Sequence, residues 1–312
     1  MITVEKDKAK VSVCMITYNH EKYIEQAINS VFSQITNFSV ELVIGEDSST
    51  DSTADIIRKY EGGGKCAVRA RYNNPNIGMQ ANFLRTLSEC NGDYIALLEG
   101  DDYWTDPKKL QRQVDFLEAN PEFAICFHPV DVLEHGVIVP DSRTLDVPDV
   151  TTIKHLADGN YMHTCSVVFR AKLFDTFPES FLQSSVGDYF LHMLNARYGY
   201  IKKLSHIMSV YRVHEGGVWS LQHNIEIKIL SYLEAMIGGF DPEINDILIK
   251  RHQRIAFKSF ISGVEESDVA DRLNRCLKYG PDNFCSLILP LIRWGKTTDK
   301  NFLLRRIRKL YL

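Results

Sequence analysis

VSVCMITYNHEKYIEQAINSVFSQITNFSVELVIGEDSSTDSTADIIRKY, residues 11–60, sets the pattern for the chain. VSVCMIT (11–17) is a near-continuous apolar run, as expected of a strand buried on both faces. In EKYIEQAINSVFSQ (21–34), Tyr23, Ile24, Ala27, Ile28, Val31 and Phe32 recur at helical spacing. A strand at VELVIGE (40–46) and a helix at TADIIRKY (53–60) repeat the pair. The alternation continues through a strand at 67–72, a helix at 79–90 and a strand at 93–99. Strand and helix in turn imply an α/β fold whose mostly parallel sheet has right-handed crossovers. Such sheets bind ligands at the C-terminal ends of their strands, where strand order reverses.

Further along, the spacing predicts a helix over 108–119 and a strand over 123–130. A hairpin and a strand over 163–170 follow, then a helix over 186–199 and one strand over 201–214. From 221 the pattern is helical: 221–237, 243–262, 266–279 and 298–310, with a shorter piece near 284–293. The expected organisation is an α/β domain over 1–218 and a helical extension over 219–312.

Composition narrows the classes. With 36 basic and 40 acidic residues the net charge is −4, so no chain-wide basic field favours nucleic acid. An apolar share of 45% fits a globular core and excludes a disordered chain. The seven cysteines form no CxxC pair or zinc spacing and read as reduced thiols, which suggests a cytoplasmic setting. No signal peptide is expected in MITVEKDKAK, and no apolar run approaches the roughly 20 residues a bilayer requires.

The chemistry gathers at the strand ends. The first strand runs into Thr17-Tyr18-Asn19-His20, the second into Glu46-Asp47-Ser48-Ser49-Thr50-Asp51, and the fourth into Glu99-Gly100-Asp101-Asp102-Tyr103-Trp104. A parallel sheet puts these on one edge, where crowded carboxylates call for a divalent cation such as Mg²⁺ or Mn²⁺. Taken alone, Asp101-Asp102 reads equally as an acidic turn. Asp51 reads as a helix cap, and Asp47 as a ligand contact.

These segments in this order resemble the opening of a family 2 glycosyltransferase with a GT-A fold, over residues 11 to about 118 and again over about 163–220. The resemblance implies an inverting enzyme that moves a sugar from a nucleotide donor, UDP-linked by expectation, to a glycan or lipid-linked acceptor hydroxyl. The implied setting is bacterial surface-polysaccharide assembly. It further implies that Thr17, Tyr18, Asn19 and Asp47 line the nucleotide and that Arg71 faces the diphosphate. Glu99-Gly100-Asp101 takes the place of the DxD motif, with Glu for the first Asp. Asp102 is then expected to hold Mn²⁺ or Mg²⁺, Asp101 to contact the donor's ribose or sugar and to share the metal, and His214 to join them. Asp188 matches the family's catalytic base, with Gly187 where Glu is frequent; it also suits a helix cap. Gly216-Gly217 suits a closing loop, while Trp219 and Trp104 are candidates for the acceptor side.

Other readings compete. A nucleotidyltransferase needs a Gly-rich basic loop after the first strand, and TYNHEKY lacks one. A non-catalytic nucleotide-sugar or glycan-binding protein is left some room by Glu99 and Gly187. The Gly62–Ala67 stretch fits G-x-G-x-x-A but follows a helix, where a dinucleotide loop follows a strand. At the C-terminus, Lys300, Arg305, Arg306, Arg308 and Lys309 interleave with Phe302, Leu303, Ile307 and Leu310. Residues 298–312 are therefore read either as a peripheral anchor to anionic membrane or as a helix packed on the domain.

Overall fold

The computed structural model describes residues 8–62, 66–144, 146–217 and 225–262, with residues 275, 278 and 279. The chain divides into two compact units. One comprises Met1–Leu182 and Val186–Gln222, the other Gln183–Ser185 and His223–Leu312.

Among the described residues of the first unit, eight strands form one sheet. In chain order they are β1 (Val11–Thr17), β2 (Val40–Glu46), β3 (Ala67–Tyr72), β4 (Tyr94–Glu99), β6 (Phe123–Phe127), β9 (Val150–Thr151), β10 (Val168–Arg170) and β11 (Tyr200–Lys203). Their order across the sheet is β3-β2-β1-β4-β10-β6-β11-β9. The parallel block β3-β2-β1-β4 reverses direction of growth between β1 and β4, the switch point at which such folds bind ligands. Register is level there: Thr17 lies opposite Glu46, and Ile16 opposite Glu99. Val11, Val13 and Met15 of β1 and Leu42 and Ile44 of β2 are fully buried, packed with Ile24, Ala27 and Ile28 of α1 (Ile24–Phe32). Helices α2 (Thr53–Arg58), α3 (Met79–Ser88) and α4 (Lys109–Ala119) continue the α/β alternation.

A second sheet is a finding the sequence does not announce. Its strands β5 (Tyr103–Trp104), β7 (Asp131–Glu134), β8 (Val137–Pro140) and β12 (Ser209–Val213) lie in the order β5-β12-β7-β8. Two expectations are corrected here. The single strand expected over 201–214 is two: β11 leaves the large sheet after Lys203, the chain bends at Ser205-His206, and β12 joins the small sheet. The strand expected over 163–170 is a 3₁₀ turn, Thr164–Ser166, followed by the three residues of β10. Ser166 Oγ donates to the His163 carbonyl at 2.7 Å, closing a local turn where an extended run would need ladder partners. Helices α5 (Ile153–Asp158) and α6 (Gly187–Asn195) complete the unit.

In the second unit α7 (Ile225–Met236) packs on α8 (Pro242–Ser262), with Leu230, Leu233, Ile244 and Leu248 buried. His252 is fully buried, its Nε2 3.0 Å from Glu234. The helices expected over 284–293 and 298–310, and all but three residues of that expected over 266–279, lie outside the described residues.

Candidate active site

Loops from three strand ends interlock at the switch point. Asn19 takes a left-handed backbone (φ 56°) just past β1. Its N–H donates to Ser49 Oγ at 2.9 Å, and its Oδ1 accepts from the Thr50 N–H at 2.8 Å, which ties the β1 loop to the β2 loop. Asp51 accepts from the N–H groups of Thr53 and Glu21 at 2.9 and 3.0 Å. Burial works to raise its carboxyl, but these hydrogen bonds outweigh it and hold the group below its usual value. His20 is fixed by its N–H to Thr53 Oγ1 at 2.8 Å, and its carbonyl starts the first turn of α1. Gly100 lets β4 close on β1, since a Cβ there would sit 2.5 Å from Thr17 Oγ1.

The β5–β12 pairing then brings distant residues to Asp101 and Asp102. Ser209 pairs with Trp104 and Val210 with Tyr103, so Arg212 and His214 arrive over the acidic turn. The Arg212 N–H donates to Asp102 Oδ1, its Nε to the Asp101 carbonyl and its Nη2 to Gln26 Oε1, each at 2.8 Å. Its guanidinium lies 4.6 Å from the Tyr23 ring and 5.3 Å from that of Tyr103. His214 Nε2 lies 2.9 Å from Asp101 Oδ2, and the Gly216 N–H donates to His214 Nδ1 at 3.2 Å. His20 Nε2 approaches the same carboxylate oxygen at 3.8 Å.

Four carboxylates share this crevice. Burial pushes Glu99 well up, helped by the charges of Asp101, Asp102 and Asp188. Asp102, 2% exposed, is raised well above the carboxylate range by burial and then by Asp101. Burial opposes ionisation of Asp101 too, but the His214 hydrogen bond and the two imidazoles hold it below its usual value. Asp188 stands in the first turn of α6, half-buried, its Oδ2 accepting from Thr164 Oγ1 at 2.9 Å. Next to Thr164, His163 Nε2 pairs with Asp141 at 3.1 Å and its ring packs on Tyr211.

His20, Asp101 and His214 each offer one ligand atom, all within 4.8 Å of one another. Two imidazoles and a carboxylate, with excess negative charge around them, are a donor set that suits a divalent transition ion. His20 Nδ1, Thr17 Oγ1 and Asp102 Oδ2 are buried beside this set without hydrogen-bond partners among the described residues. The residues therefore fit a cation.

Asp102 spends Oδ1 on the Arg212 backbone. Asp47, 3% exposed, accepts from Ile77 N, Gly78 N and Asn73 Nδ2 at 2.9–3.0 Å, which fastens the loop into α3. Arg71 pairs with Glu89 on the outer edge strand at 2.8 Å. Trp104 is 3% exposed; its Nε1 donates to the Cys165 carbonyl at 2.9 Å and Lys109 Nζ lies 4.3 Å from its ring, so it belongs to the core. Tyr18, the residue after β1, is exposed. Trp219 lies outside the described residues. His20 and Arg212 were not foreseen as site residues. Their signals were present: His20 ends the first strand's loop, and Arg212 and His214 share a strand face by their two-residue spacing.

Residues 12–177, more than half of the chain, match the family Glycosyl transferase family 2, and the chain belongs to that family. An uncharacterised protein of Mycobacterium tuberculosis is 39% identical over 211 residues, covering 67% of this chain and 60% of that relative's length. Staphylococcus aureus TarS (1–349), solved with UDP-GlcNAc, superposes with a TM-score of 0.68 at 21% identity, covering 89% of this chain and 83% of that one. The mannosyltransferase PcManGT from Pyrobaculum calidifontis, solved with GDP-Man and Mn²⁺, gives 0.59 at 17% identity, covering 97% and 87%. The fold is that of GT-A glycosyltransferases.

Proposed function

We propose that this chain transfers a sugar from a nucleoside-diphosphate donor, with UDP the first candidate, to an acceptor hydroxyl, inverting the anomeric centre. The observation that carries it is Asp188: a half-buried carboxylate, steadied on one oxygen by Thr164, in electrostatic contact with the Glu99 strand end. Asp188 takes the proton of the attacking hydroxyl, an assistance of roughly 10²–10⁴-fold. Attack from the face opposite the departing diphosphate is what inverts the centre. Thr17, Tyr18 and Asn19, at the end of β1, line the nucleotide.

Asp101, His20 and His214 would hold a divalent cation, Mn²⁺ ahead of Mg²⁺ because two of the three donors are imidazoles, and its charge would offset that growing on the departing diphosphate. This moves the direct contact from Asp102 to Asp101. Asp102, hydrogen-bonded to the Arg212 backbone, braces the turn that aims Asp101. Family resemblance supports bacterial surface-polysaccharide assembly at the cytoplasmic side of the membrane. Among the described residues no helix is long and apolar enough to cross a membrane.

A thermal-shift panel of UDP, GDP, CDP and dTDP, each with and without Mn²⁺, tests the reading on the wild type, Asp101→Asn and Asp102→Asn. A ligand at 100 times its Kd stabilises by about 2.7 kcal/mol, ample to detect. One nucleotide should give a Mn²⁺-dependent shift that Asp101→Asn loses and Asp102→Asn only weakens. No shift with any nucleotide overturns the proposal. Donor turnover that vanishes in Asp188→Asn while nucleotide binding survives separates catalysis from binding alone.

A further inference from the structure

Gln80 sits in the first turn of α3, whose entry loop Asp47 fastens to the end of β2. Both polar atoms of its side-chain amide are buried, and neither has a hydrogen-bond partner among the described residues. The amide lies against Gly187, the residue before Asp188: a Cβ at 187 would come 2.4 Å from Gln80 Oε1 and 2.9 Å from a ring carbon of Phe83. Gly187 thus vacates the space, and the Gln80 amide occupies it. A buried amide with both groups unpaired is a standing cost, which a bound water or a ligand would relieve.

The chemistry of that ligand follows from the amide itself. A carbonyl oxygen and an NH₂ side by side, uncharged, match two adjacent hydroxyls on a sugar ring: one donates to Oε1 and the other accepts from Nε2. A phosphate or carboxylate would leave Oε1 facing like charge. Gln80 also stands on α3, which packs on β1 and β2, the strands whose ends are assigned to the nucleotide. We infer that Gln80 reads a pair of adjacent hydroxyls on the transferred sugar and so sets which nucleotide-sugar the enzyme accepts. The inference rests on the donor and base assignments proposed above.

Binding of UDP-glucose, UDP-galactose, UDP-N-acetylglucosamine and GDP-mannose would be compared by calorimetry with that of bare UDP and GDP, in the presence of Mn²⁺. The proteins are the wild type, Gln80→Ala and Gln80→Met. In the wild type one sugar should bind more tightly than its bare diphosphate. Both variants should lose roughly tenfold of that preference, the worth of a good hydrogen-bonding pair, and keep the affinity for the bare diphosphate. Gln80→Met keeps the packing on Phe83 and Gly187 and removes the unpaired atoms, so its ligand-free Tm should equal or exceed the wild type's. A purely structural glutamine would instead lower Tm and leave sugar preference intact. Unchanged preference in folded Gln80→Met overturns the inference. Failure of every nucleotide to bind the wild type would instead overturn the glycosyl-transfer reading itself.

Discussion

Asp101 and Asp102 are neighbours in the chain with opposite surroundings. Asp101 faces two imidazoles, while Asp102 turns under β12 to meet a backbone N–H. One therefore stays ionised and the other is driven towards its neutral form, with burial the larger cause in Asp102. The same logic of a held carboxylate applies to Asp188. A hydrogen bond to a charged group contributes about 1.5–3 kcal/mol. Thr164→Val should therefore slow donor turnover, read as nucleoside diphosphate released, by roughly tenfold to a hundredfold while nucleotide affinity stays put. Turnover equal to wild type would show that the Thr164 hydrogen bond does not serve the base; Asp188 itself lies inside the first turn of α6, whose cap position is Val186. At this scale the sequence was half legible. Asp101 is a strand-end residue that local patterning picks out, whereas His214 and Asp188 were expected only from the family resemblance. Arg212 owes its place to a pairing between residues 110 positions apart, which no local window contains, and His20 is held by Thr53 across 33 positions.

Helix α4 carries a buried cation in its first turn. Lys109 is fully buried; its Nζ donates to Gln113 Oε1 at 2.7 Å, and burial pushes its pKa from 10.5 down to about 7. Below pH 7 the folded protein bears the whole cost of the buried charge. Between pH 7 and 10.5 the folded state has released a proton that the unfolded chain retains, so stability rises with pH across that window. Lys109→Met should raise Tm most near pH 6, with the advantage fading towards about pH 10. Parallel Tm–pH curves for the two proteins would rule this out. Strands buried on two faces were the easiest to read: β1 spans 11–17 and β2 spans 40–46, both as expected. β5 was illegible because two residues, Tyr103 and Trp104, carry no period at all. The 201–214 run misled because both its halves are strand-like, and only their separate partners divide them.

At the scale of the molecule, α/β alternation and the site edge were readable because a parallel sheet imposes both. The sequence pattern changes from mixed to helical near 219, whereas the second compact unit takes in Gln183–Ser185 as well as His223–Leu312, a segment no change of pattern marks. Residues 298–312 bear five cations against one acidic residue, Asp299. If this segment lies on anionic lipid, removing it should abolish flotation with phosphatidylserine vesicles and leave nucleotide affinity unchanged. Undiminished flotation would discard the anchor.

The β5–β12 pairing also bears on how the protein comes into being. The Arg212–Asp102 contact closes a loop spanning 110 positions, and the two strands meet through only two residue pairs. Long loops are costly to close early, so the β1–β4 block has every reason to form first. During synthesis the acidic turn emerges more than a hundred residues before Arg212 and His214 arrive. For that interval Asp101 lacks His214 and Asp102 lacks the Arg212 backbone N–H. The last strand to dock thus completes the charge balance, and a chain halted before β12 would have a nearly finished large sheet with an unfinished reaction centre.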